Sequence, residues 1–502
     1  MSRYVVIGGG VSGLAAARLL AGGSAVSDSA LPDGKAETLE RSRLSRPVDD
    51  VVLLEASDRL GGKVLTSSFA GGPVEIGPDQ FLRRDPSAER LCRLLGLGDE
   101  LVAPGVGSAA VFAAGMPRRL PAGLVLGIPT DLDALSASGI VSEGAVLFAR
   151  QDSDRPGAAL EGADVGFNWG DQTADPARER SAGAILRPRL GDEIVDRLVD
   201  PLIGGINAGC IDNLSLGTVA PQIAHALLGH ADVIAPLAAT LPAQAAAPSP
   251  FFGLAGGLGR VVTAVAEELR RSGCDVRLGC SATRIRPAAA GSGYIVETAG
   301  GDITADGIVL ALPAPQAASL IEDVAPEAAE HLGDVSYGSV AVVTFAFDRP
   351  VPTSLHGWSG VLVPRVEGTL TTAVTLLSQK WPWMAAGHRD GALVRVSAGR
   401  HLDARIDSLD DAELQHALAG ELAELTGITG RSPDILVQRW NGAFPQYAPG
   451  FSARMAAIGR ELGERPGLAL AGASLGGIGI PACITSGERA AEVVRGYVAA
   501  CA

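Results

Sequence analysis

The N-terminal stretch of this chain combines a strand, a glycine-rich turn and a helix within twenty residues. Residues 4–7 (YVVI) form a short apolar run of the kind that makes a buried parallel strand. Gly8, Gly10 and Gly13 then fit the spacing G-x-G-x-x-G, and strong helix formers follow at 14–20. In this motif the glycines allow a tight turn, let a pyrophosphate reach the backbone and let the helix pack on the strand. The sequence therefore predicts a Rossmann-like dinucleotide-binding unit.

A carboxylate at the end of the next strand usually completes this signature. Residues 51–54 (VVLL) form a second apolar run, and Glu55 follows directly, where a carboxylate can hold ribose hydroxyls. The usual interval after the glycine motif is about 20 residues, and residues 24–50 lengthen it here. Because these residues are polar, mixed in charge and rich in Ser, Asp, Arg and Pro, we interpret them as a surface insertion without a chemical role.

Length and composition limit the number of domains and the class of partner. A chain of 502 residues is too long for one hydrophobic core and predicts two or three domains. Its net charge of −15 argues against nucleic acid as a partner and against purely electrostatic membrane binding. The six cysteines are scattered without a C-x-x-C pair, which favours reduced thiols in the cytoplasm and no bound metal. No transmembrane segment is expected, and peripheral membrane contact stays open.

The segment after the second strand points to a flavin. Residues 55–63 (EASDRLGGK) resemble the signature E-A-x-x-R-x-G-G-[RK] of the flavin-containing amine oxidase and protoporphyrinogen oxidase superfamily. The resemblance implies non-covalently bound FAD, with Glu55 on the ribose, Arg59 near the phosphates and Gly62 and Lys63 along the cofactor. A guanidinium suits phosphate, and glycine permits close approach of the backbone.

Further segments resemble the bacterial, Gram-positive branch of the porphyrinogen oxidases. They are residues 75–81 (EIGPDQF), 120–130 (LPAGLVLGIPT), 200–216 (DPLIGGINAGCIDNLSL), 378–382 (SQKWP), 395–400 (RVSAGR), 440–447 (WNGAFPQY) and 470–484 (LAGASLGGIGIPACI). Several positions depart from the branch pattern. Gln80, Cys210, Phe451 and Ala482 stand where it carries Ser, Asp, His and Asp, Asn207 stands where Tyr is frequent, and Ala282 where Val is commoner.

The same resemblance implies which residues form the sites. The expected cofactor-binding residues are Gly8, Gly10, Ser12, Gly13, Glu55, Ala56, Arg59, Gly62, Lys63, Gly77, Pro78, Asp79, Ala282, Trp440, Gly472, Ile478, Gly479 and Ile480. Substrate contacts are expected at Gly205, Asn207 and Gly209, and the carboxylate-anchoring candidates are Arg83, Arg84, Arg118, Arg119, Arg187 and Arg189. No histidine, cysteine or carboxylate stands out as a required base, so no catalytic residue is predicted.

The implied fold class is α/β. It comprises a discontinuous Rossmann-like FAD-binding domain, a mixed-sheet substrate domain and a helical subdomain. The expected FAD-binding parts are 1–83, with 24–50 as the insertion, 251–312 and 454–502. The substrate domain is expected to take 84–116, 217–250 and 313–453, and the helical subdomain 117–216. The last helix is expected to begin with the run SGERAA at 486–491.

The implied reaction is the FAD-dependent oxidation of coproporphyrinogen III to coproporphyrin III in haem biosynthesis, with O2 as acceptor and H2O2 as product. Protoporphyrinogen IX remains open as the substrate. An amine oxidase would need an aromatic cage and a C-terminal segment unlike residues 477–483, and a carotenoid desaturase would lack the P-Q-Y element at 445–447. A non-enzymatic FAD-binding protein also remains open. The expected partners are a porphyrinogen and O2, in a cytoplasmic monomer or homodimer.

Overall fold

The computed structural model describes residues 2–26, 49–155, 160, 179–241, 249–289, 293–385 and 391–501. Most of the insertion predicted at 24–50 lies outside the described residues. The strands are β1 Arg3–Ile7, β2 Asp50–Leu54, β3 Thr66–Phe69, β4 Gly72–Glu75, β5 Phe81–Leu82, β6 Leu101–Val102, β7 Ser108–Ala113, β8 Met116–Arg119, β9 Leu124–Val125, β10 Ile128–Pro129, β11 Phe251–Leu254, β12 Asp275–Arg277, β13 Ala282–Pro287, β14 Tyr294–Thr298, β15 Ile303–Ala305, β16 Gly307–Leu310, β17 Tyr337–Phe347, β18 Trp358–Leu362, β19 Thr371–Leu376, β20 Ala392–Ala398, β21 Asp434–Pro445 and β22 Leu468–Leu470.

The α-helices span Val11–Leu20, Ser87–Leu94, Leu132–Ser138, Glu143–Arg150, Ala182–Leu190, Asp192–Ile194, Leu216–Val219, Pro221–Leu227, Ile234–Ala238, Gly259–Arg271, Ala314–Ile321, Pro326–Gly333, Leu377–Lys380, Pro382–Ala385, Asp411–Thr426, Phe451–Gly463 and Ile480–Cys501. A π-helix spans Val195–Gly204. It contains Pro201, which has no backbone N–H and so interrupts the regular α-helical hydrogen bonding at that point.

A five-stranded parallel sheet carries the glycine motif. Its strand order is β12-β2-β1-β16-β22, so that distant parts of the chain form one layer around β1. Val5 and Val6 in β1 have no exposed surface, as expected for a parallel strand covered on both faces. The helices Val11–Leu20, Gly259–Arg271 and Ile480–Cys501 contribute to the core on one face, while the β13-β14-β15 sheet packs on the other. This is the discontinuous Rossmann-like arrangement expected for the fold.

A second large layer is a seven-stranded mixed sheet. Its order is β21-β17-β20-β19-β18-β7-β8, and its neighbouring strands are antiparallel except for the parallel pair β18 and β7. The helix Asp411–Thr426 contributes Leu414, Leu418 and Leu422 to the core of this layer, at the spacing that places them on one face. The α/β class with a mixed sheet is therefore confirmed, while the exact domain boundaries remain a proposal.

The last helix begins earlier than the sequence predicts. It starts at Ile480 instead of Ser486, because Pro481 is tolerated in a first helical turn and the glycine run ends just before it. Gly487 lies where this helix crosses Val11–Leu20, and a Cβ there would approach the Ser12 carbonyl oxygen to 2.1 Å. Within the described residues, no helix has both the length and the apolar character needed to cross a bilayer.

Candidate functional site

A cavity of about 560 Å³ opens where the strands of the parallel sheet end. Because these strands run in the same direction, their carboxyl ends share one edge, which is where ligands bind in such sheets. Gly8 follows β1, Glu55 follows β2, Ala311 follows β16 and Gly472 lies just beyond β22, and all four line the cavity. Residues of the mixed sheet form the facing wall, so the cavity lies between the two layers.

The three motif glycines have different physical reasons to be glycine. Gly8 has φ +106°, and a Cβ there would lie 2.4 Å from the Ala311 carbonyl oxygen. At Gly13 a Cβ would lie 1.8 Å from the Gly8 carbonyl oxygen, so this glycine allows the helix to pack on the strand. At Gly10, by contrast, a Cβ would meet no protein atom within 4 Å. The helix Val11–Leu20 begins there without a side-chain cap, which leaves its N-terminal N–H groups available to an anion.

Glu55 is held in place by the turn that precedes the helix. Its Oε2 accepts a hydrogen bond from the Gly9 N–H at 2.7 Å, and its Oε1 accepts from the Ser57 N–H and Oγ at 2.8 and 2.7 Å. The Gly61 N–H donates to the Gly9 carbonyl at 2.8 Å, so the two signature segments lie directly against each other. This fixed carboxylate at a strand end has the position and chemistry needed to accept ribose hydroxyls.

The ionisable side chains of Lys63 and Cys483, which come from separate motifs, lie close together at the cavity. Lys63 and Cys483 both line the cavity. Desolvation lowers the pKa of the Lys63 ammonium, with the nearby thiol opposing this shift. Burial raises the pKa of the Cys483 thiol, and its Sγ contacts the Gly477 carbonyl oxygen at 3.6 Å. A thiol held in its protonated form is a poor nucleophile, which favours a cofactor bound without a covalent link to this cysteine.

A buried ion network lies behind the segment that carries Gly77. Asp79 Oδ2 accepts hydrogen bonds from Lys380 Nζ and Trp381 Nε1, both at 2.8 Å, and its Oδ1 lies 3.3 Å from Arg395 Nη2. Burial alone would raise the pKa of Asp79, but Lys380 and Arg395 hold it below its ordinary value. Arg395 also donates to the Gly77 carbonyl at 3.1 Å, so the network fixes this part of the cavity wall.

The facing wall combines apolar strands with arginines. Arg365, Arg395 and Arg400 line the cavity together with Asp200 from the π-helix. Burial raises the pKa of Asp200, while the Ile211 N–H at 2.9 Å and the nearby guanidinium groups oppose this shift. The cavity wall is therefore cationic in a chain of strongly negative net charge.

Most of the site residues expected from the sequence come together at this cavity. Those that line it are Gly8, Gly10, Ser12, Glu55, Gly62, Lys63, Gly77, Pro78, Gly205, Gly209, Trp440, Gly472, Ile478 and Ile480. Those that do not line it are Gly13, Ala56, Arg59, Asp79, Asn207, Ala282 and Gly479.

Three of the residues outside the lining have contacts or positions that the structure defines. Arg59 donates to the Gly62 carbonyl at 2.8 Å and so closes its own loop. The Asn207 amide donates to the Ile203 carbonyl at 2.8 Å, which holds the end of the π-helix. Ala282 begins β13 in the small antiparallel sheet.

None of the six arginines named from the sequence as carboxylate anchors lines the cavity. Arg83 stacks over the Phe252 ring at 4.2 Å, and Arg187 forms ion pairs with three aspartates of the helical region. Arg189 is buried and donates to backbone carbonyls, while Arg84 and Arg119 are exposed. Arg118 donates to the backbone. The chain thus directs these six side chains away from the cavity.

Sequence reasoning did not assign a role to Asp200, Arg365, Arg395 or Arg400. Arg395 and Arg400 belong to the segment RVSAGR, whose resemblance was visible but whose side-chain directions were not. In β20, Arg395 and Ser397 lie on the same face of the strand and line the cavity. The sequence predicts that alternate side chains share a face, but it does not show which face of the strand meets the cavity. Arg365 lies in no matched segment, so no sequence signal pointed to it.

Comparison with known proteins identifies the family. A model of the family described as flavin containing amine oxidoreductase matches residues 11–495. The chain belongs to this family. A protein of Mycobacterium leprae named coproporphyrinogen III oxidase is 32% identical to this flavoenzyme, over 99% of each chain. One of the same name from Bacillus subtilis is 30% identical over 98% of each chain. The chain is therefore a flavin-dependent oxidoreductase.

Solved structures agree with the fold of this flavoenzyme. A structure from an Exiguobacterium species, provisionally described as a protoporphyrinogen oxidase, has a TM-score of 0.80 and 29% identity over 98% of each chain. Putrescine oxidase bound to putrescine has a TM-score of 0.67 over 99% of each chain, and its identity of 16% shows a shared fold alone.

The described residues fit FAD, the cofactor of this flavoenzyme. The open position at Gly10 leaves room for a phosphate against the uncapped helix end. Glu55 supplies a fixed carboxylate on one side of this turn, and Lys63, Gly77 and Pro78 also line the cavity. A cofactor with a pyrophosphate, a ribose and an extended ring system therefore meets groups of matching chemistry along one continuous cavity.

Proposed function

We propose that this flavoenzyme oxidises coproporphyrinogen III to coproporphyrin III, with O2 as electron acceptor. The observation that carries the proposal is the single cavity in which the dinucleotide turn and a wall with three arginines face each other. A tetracarboxylate requires cations, and this wall concentrates them in a chain whose net charge is −15. The full-length similarity to proteins named coproporphyrinogen III oxidase supports the same substrate.

The side chains of this chain bind and shield the reactants, and no acid or base is assigned among them. Bound FAD supplies the hydride acceptor for each two-electron step, and O2 takes up the electrons as H2O2. Val340, Val342 and Phe444 line the cavity with apolar surface, which excludes water from the reacting carbon. Trp440 also lines it, and its Nε1 is held by the Ile76 carbonyl at 3.1 Å, so its ring has a fixed orientation.

Substrate preference tests this proposal in steady state. Coproporphyrinogen III carries four propionates, and each additional charge-assisted hydrogen bond contributes about 1.5–3 kcal/mol. We therefore expect kcat/KM for coproporphyrinogen III to exceed that for protoporphyrinogen IX by about tenfold or more. The measurement is porphyrin fluorescence under air with both substrates. Equal values, or a preference for protoporphyrinogen IX, would reject coproporphyrinogen III as the substrate, and the absence of turnover with either would favour an amine-oxidase-like or a non-enzymatic role.

A further inference from the structure

We propose that Arg365 and Arg400 form a carboxylate-binding pair that anchors one propionate of the substrate. The inference rests on the proposed function and deepens it by naming the side chains that recognise the substrate. Both arginines line the cavity, on the wall shared by the mixed sheet and the segment that follows the π-helix.

Backbone contacts orient both guanidinium groups without using all of their N–H donors. Arg365 Nη2 donates to the Gly209 carbonyl at 3.0 Å, and Arg400 Nη2 donates to the Val363 carbonyl at 3.2 Å. The buried Nε of Arg365 has no hydrogen-bond partner among the described residues. Each guanidinium has five N–H donors in a planar fork, so a carboxylate entering the cavity would find oriented donors that the protein leaves available.

The local charge balance favours an anion at this position. Asp200 is the carboxylate beside the pair, but its Oδ2 lies 3.9 Å from Arg365 Nε, and its Oδ1 accepts from the Ile211 N–H. Asp403 is paired with Arg405 at 2.7 Å, and Glu367 is paired with Arg197 at 2.6 Å.

Asp212 also interacts with Arg365 but is paired with Arg187 at 2.7 Å. Asp200 is thus the carboxylate left to the two arginines, and its alignment with Arg365 is poor. Desolvation lowers the pKa of Arg400, and the neighbouring Arg365 lowers it further. Desolvation and Arg365 also lower the pKa of His401, which disfavours a third cation beside the pair. A substrate carboxylate would neutralise the excess charge and supply the missing hydrogen-bond acceptors.

Arg395, the third arginine of the wall, has a different role. Its Nη groups contact the Gly77 carbonyl and Asp79 Oδ1. Its buried Nε, like that of Arg365, has no partner among the described residues, but its charge is already paired with the buried Asp79 carboxylate. Arg395 therefore has a structural role, whereas Arg365 and Arg400 are assigned to binding the substrate carboxylate, although all three line the same cavity.

The test compares Arg365→Gln and Arg400→Gln with the matched control Arg119→Gln, whose side chain is exposed and lies away from the cavity. For the holoenzyme with coproporphyrinogen III, we expect KM to rise about tenfold or more in each cavity variant, while kcat stays within about twofold because no reacting atom is touched. The lysine variants Arg365→Lys and Arg400→Lys should recover part of the loss, since they retain the charge but not the fork. FAD content for each chain, read by absorbance, reports whether a variant keeps the native fold.

Binding of the product provides a readout that does not need turnover. We expect the dissociation constant for coproporphyrin III, measured by its fluorescence, to rise about tenfold in both glutamine variants and to be unchanged in Arg119→Gln. If the wild type oxidises coproporphyrinogen III but KM and this constant are unchanged in both glutamine variants, the carboxylate pair is wrong and the proposed function stands. If the wild type shows no turnover, the proposed function is wrong, and the coproporphyrin III constants alone decide whether the pair binds carboxylates.

Discussion

Replacing Gly10 by valine is expected to give a folded protein that no longer retains FAD. The backbone at Gly10 is extended (φ −71°, ψ 179°), and a Cβ there meets no protein atom within 4 Å, so the chain itself can accept the side chain. The valine would instead occupy the space against the uncapped helix end, where the pyrophosphate must approach. We expect FAD affinity to fall by at least about 100-fold, which is about 2.8 kcal/mol. The flavin absorbance of the purified protein measures FAD retention, and circular dichroism measures separately whether the protein is folded.

Two other glycines make the interpretation specific. Gly496 is exposed on the last helix, and a Cβ there also meets no atom within 4 Å, so Gly496→Val should keep both the fold and FAD. At Gly13 the new Cβ would lie 1.8 Å from the Gly8 carbonyl oxygen, so Gly13→Val should lose folded protein altogether. A Gly10→Val protein that still purified with one FAD for each chain would show that the phosphates lie elsewhere.

The substitution Asp79→Asn is expected to produce the largest loss of stability among the polar residues discussed. It would leave Lys380 and Arg395 buried without their carboxylate, and the side chains of both are only 11% exposed. Removing one partner from a buried ion pair costs about 3–5 kcal/mol. Because the network holds the Gly77 carbonyl through Arg395, weaker FAD retention should accompany the lower Tm.

The pH dependence of this effect has a definite sign. The pKa of Asp79 is lowered in the folded protein, so its stabilisation is present above the unfolded value of about 4 and is lost as the pH falls below it. The difference in Tm between wild type and Asp79→Asn should therefore shrink as the pH falls below about 4. As a control, Asp323→Asn removes an ion pair with Arg284 at the surface and should change Tm little. A wild-type Tm equal to that of Asp79→Asn at neutral pH would contradict this role.

The part of the cavity formed by the glycine turn at 8–13 and Glu55 could be predicted from the sequence, because the residues that form the turn are close together along the chain. A strand, a turn and a helix start follow one another within about a dozen residues, and their glycines are needed by the backbone itself, as Gly8 and Gly13 demonstrate. Glu55 could be placed because it ends the next parallel strand, and parallel strands align their carboxyl ends. The predicted start of the last helix at residue 486 was wrong for a local reason, because Pro481 is tolerated in a first helical turn and the helix begins at Ile480.

The substrate half could not be predicted because it depends on the order of strands in the mixed sheet. Arg365 follows β18 and Arg400 follows β20, and these two strands are separated by β19. No periodicity in the sequence brings their ends together. Asp79 illustrates the same limit, because the sequence placed it at the cofactor while the fold turns its carboxylate toward Lys380, about 300 residues away along the chain. The six arginines named from the sequence were chosen because a tetracarboxylate needs cations, and charge alone does not fix the direction of a side chain.

The most direct test of the central claim is to mix the FAD-bound protein anaerobically with coproporphyrinogen III and to follow the visible absorption of the flavin. We expect the flavin to bleach at a rate at least equal to kcat. Admission of O2 should then restore the oxidised flavin spectrum, and coproporphyrin fluorescence should appear. A flavin that stays oxidised in the presence of excess coproporphyrinogen III, in protein that carries one FAD for each chain, would show that this protein does not oxidise coproporphyrinogen III.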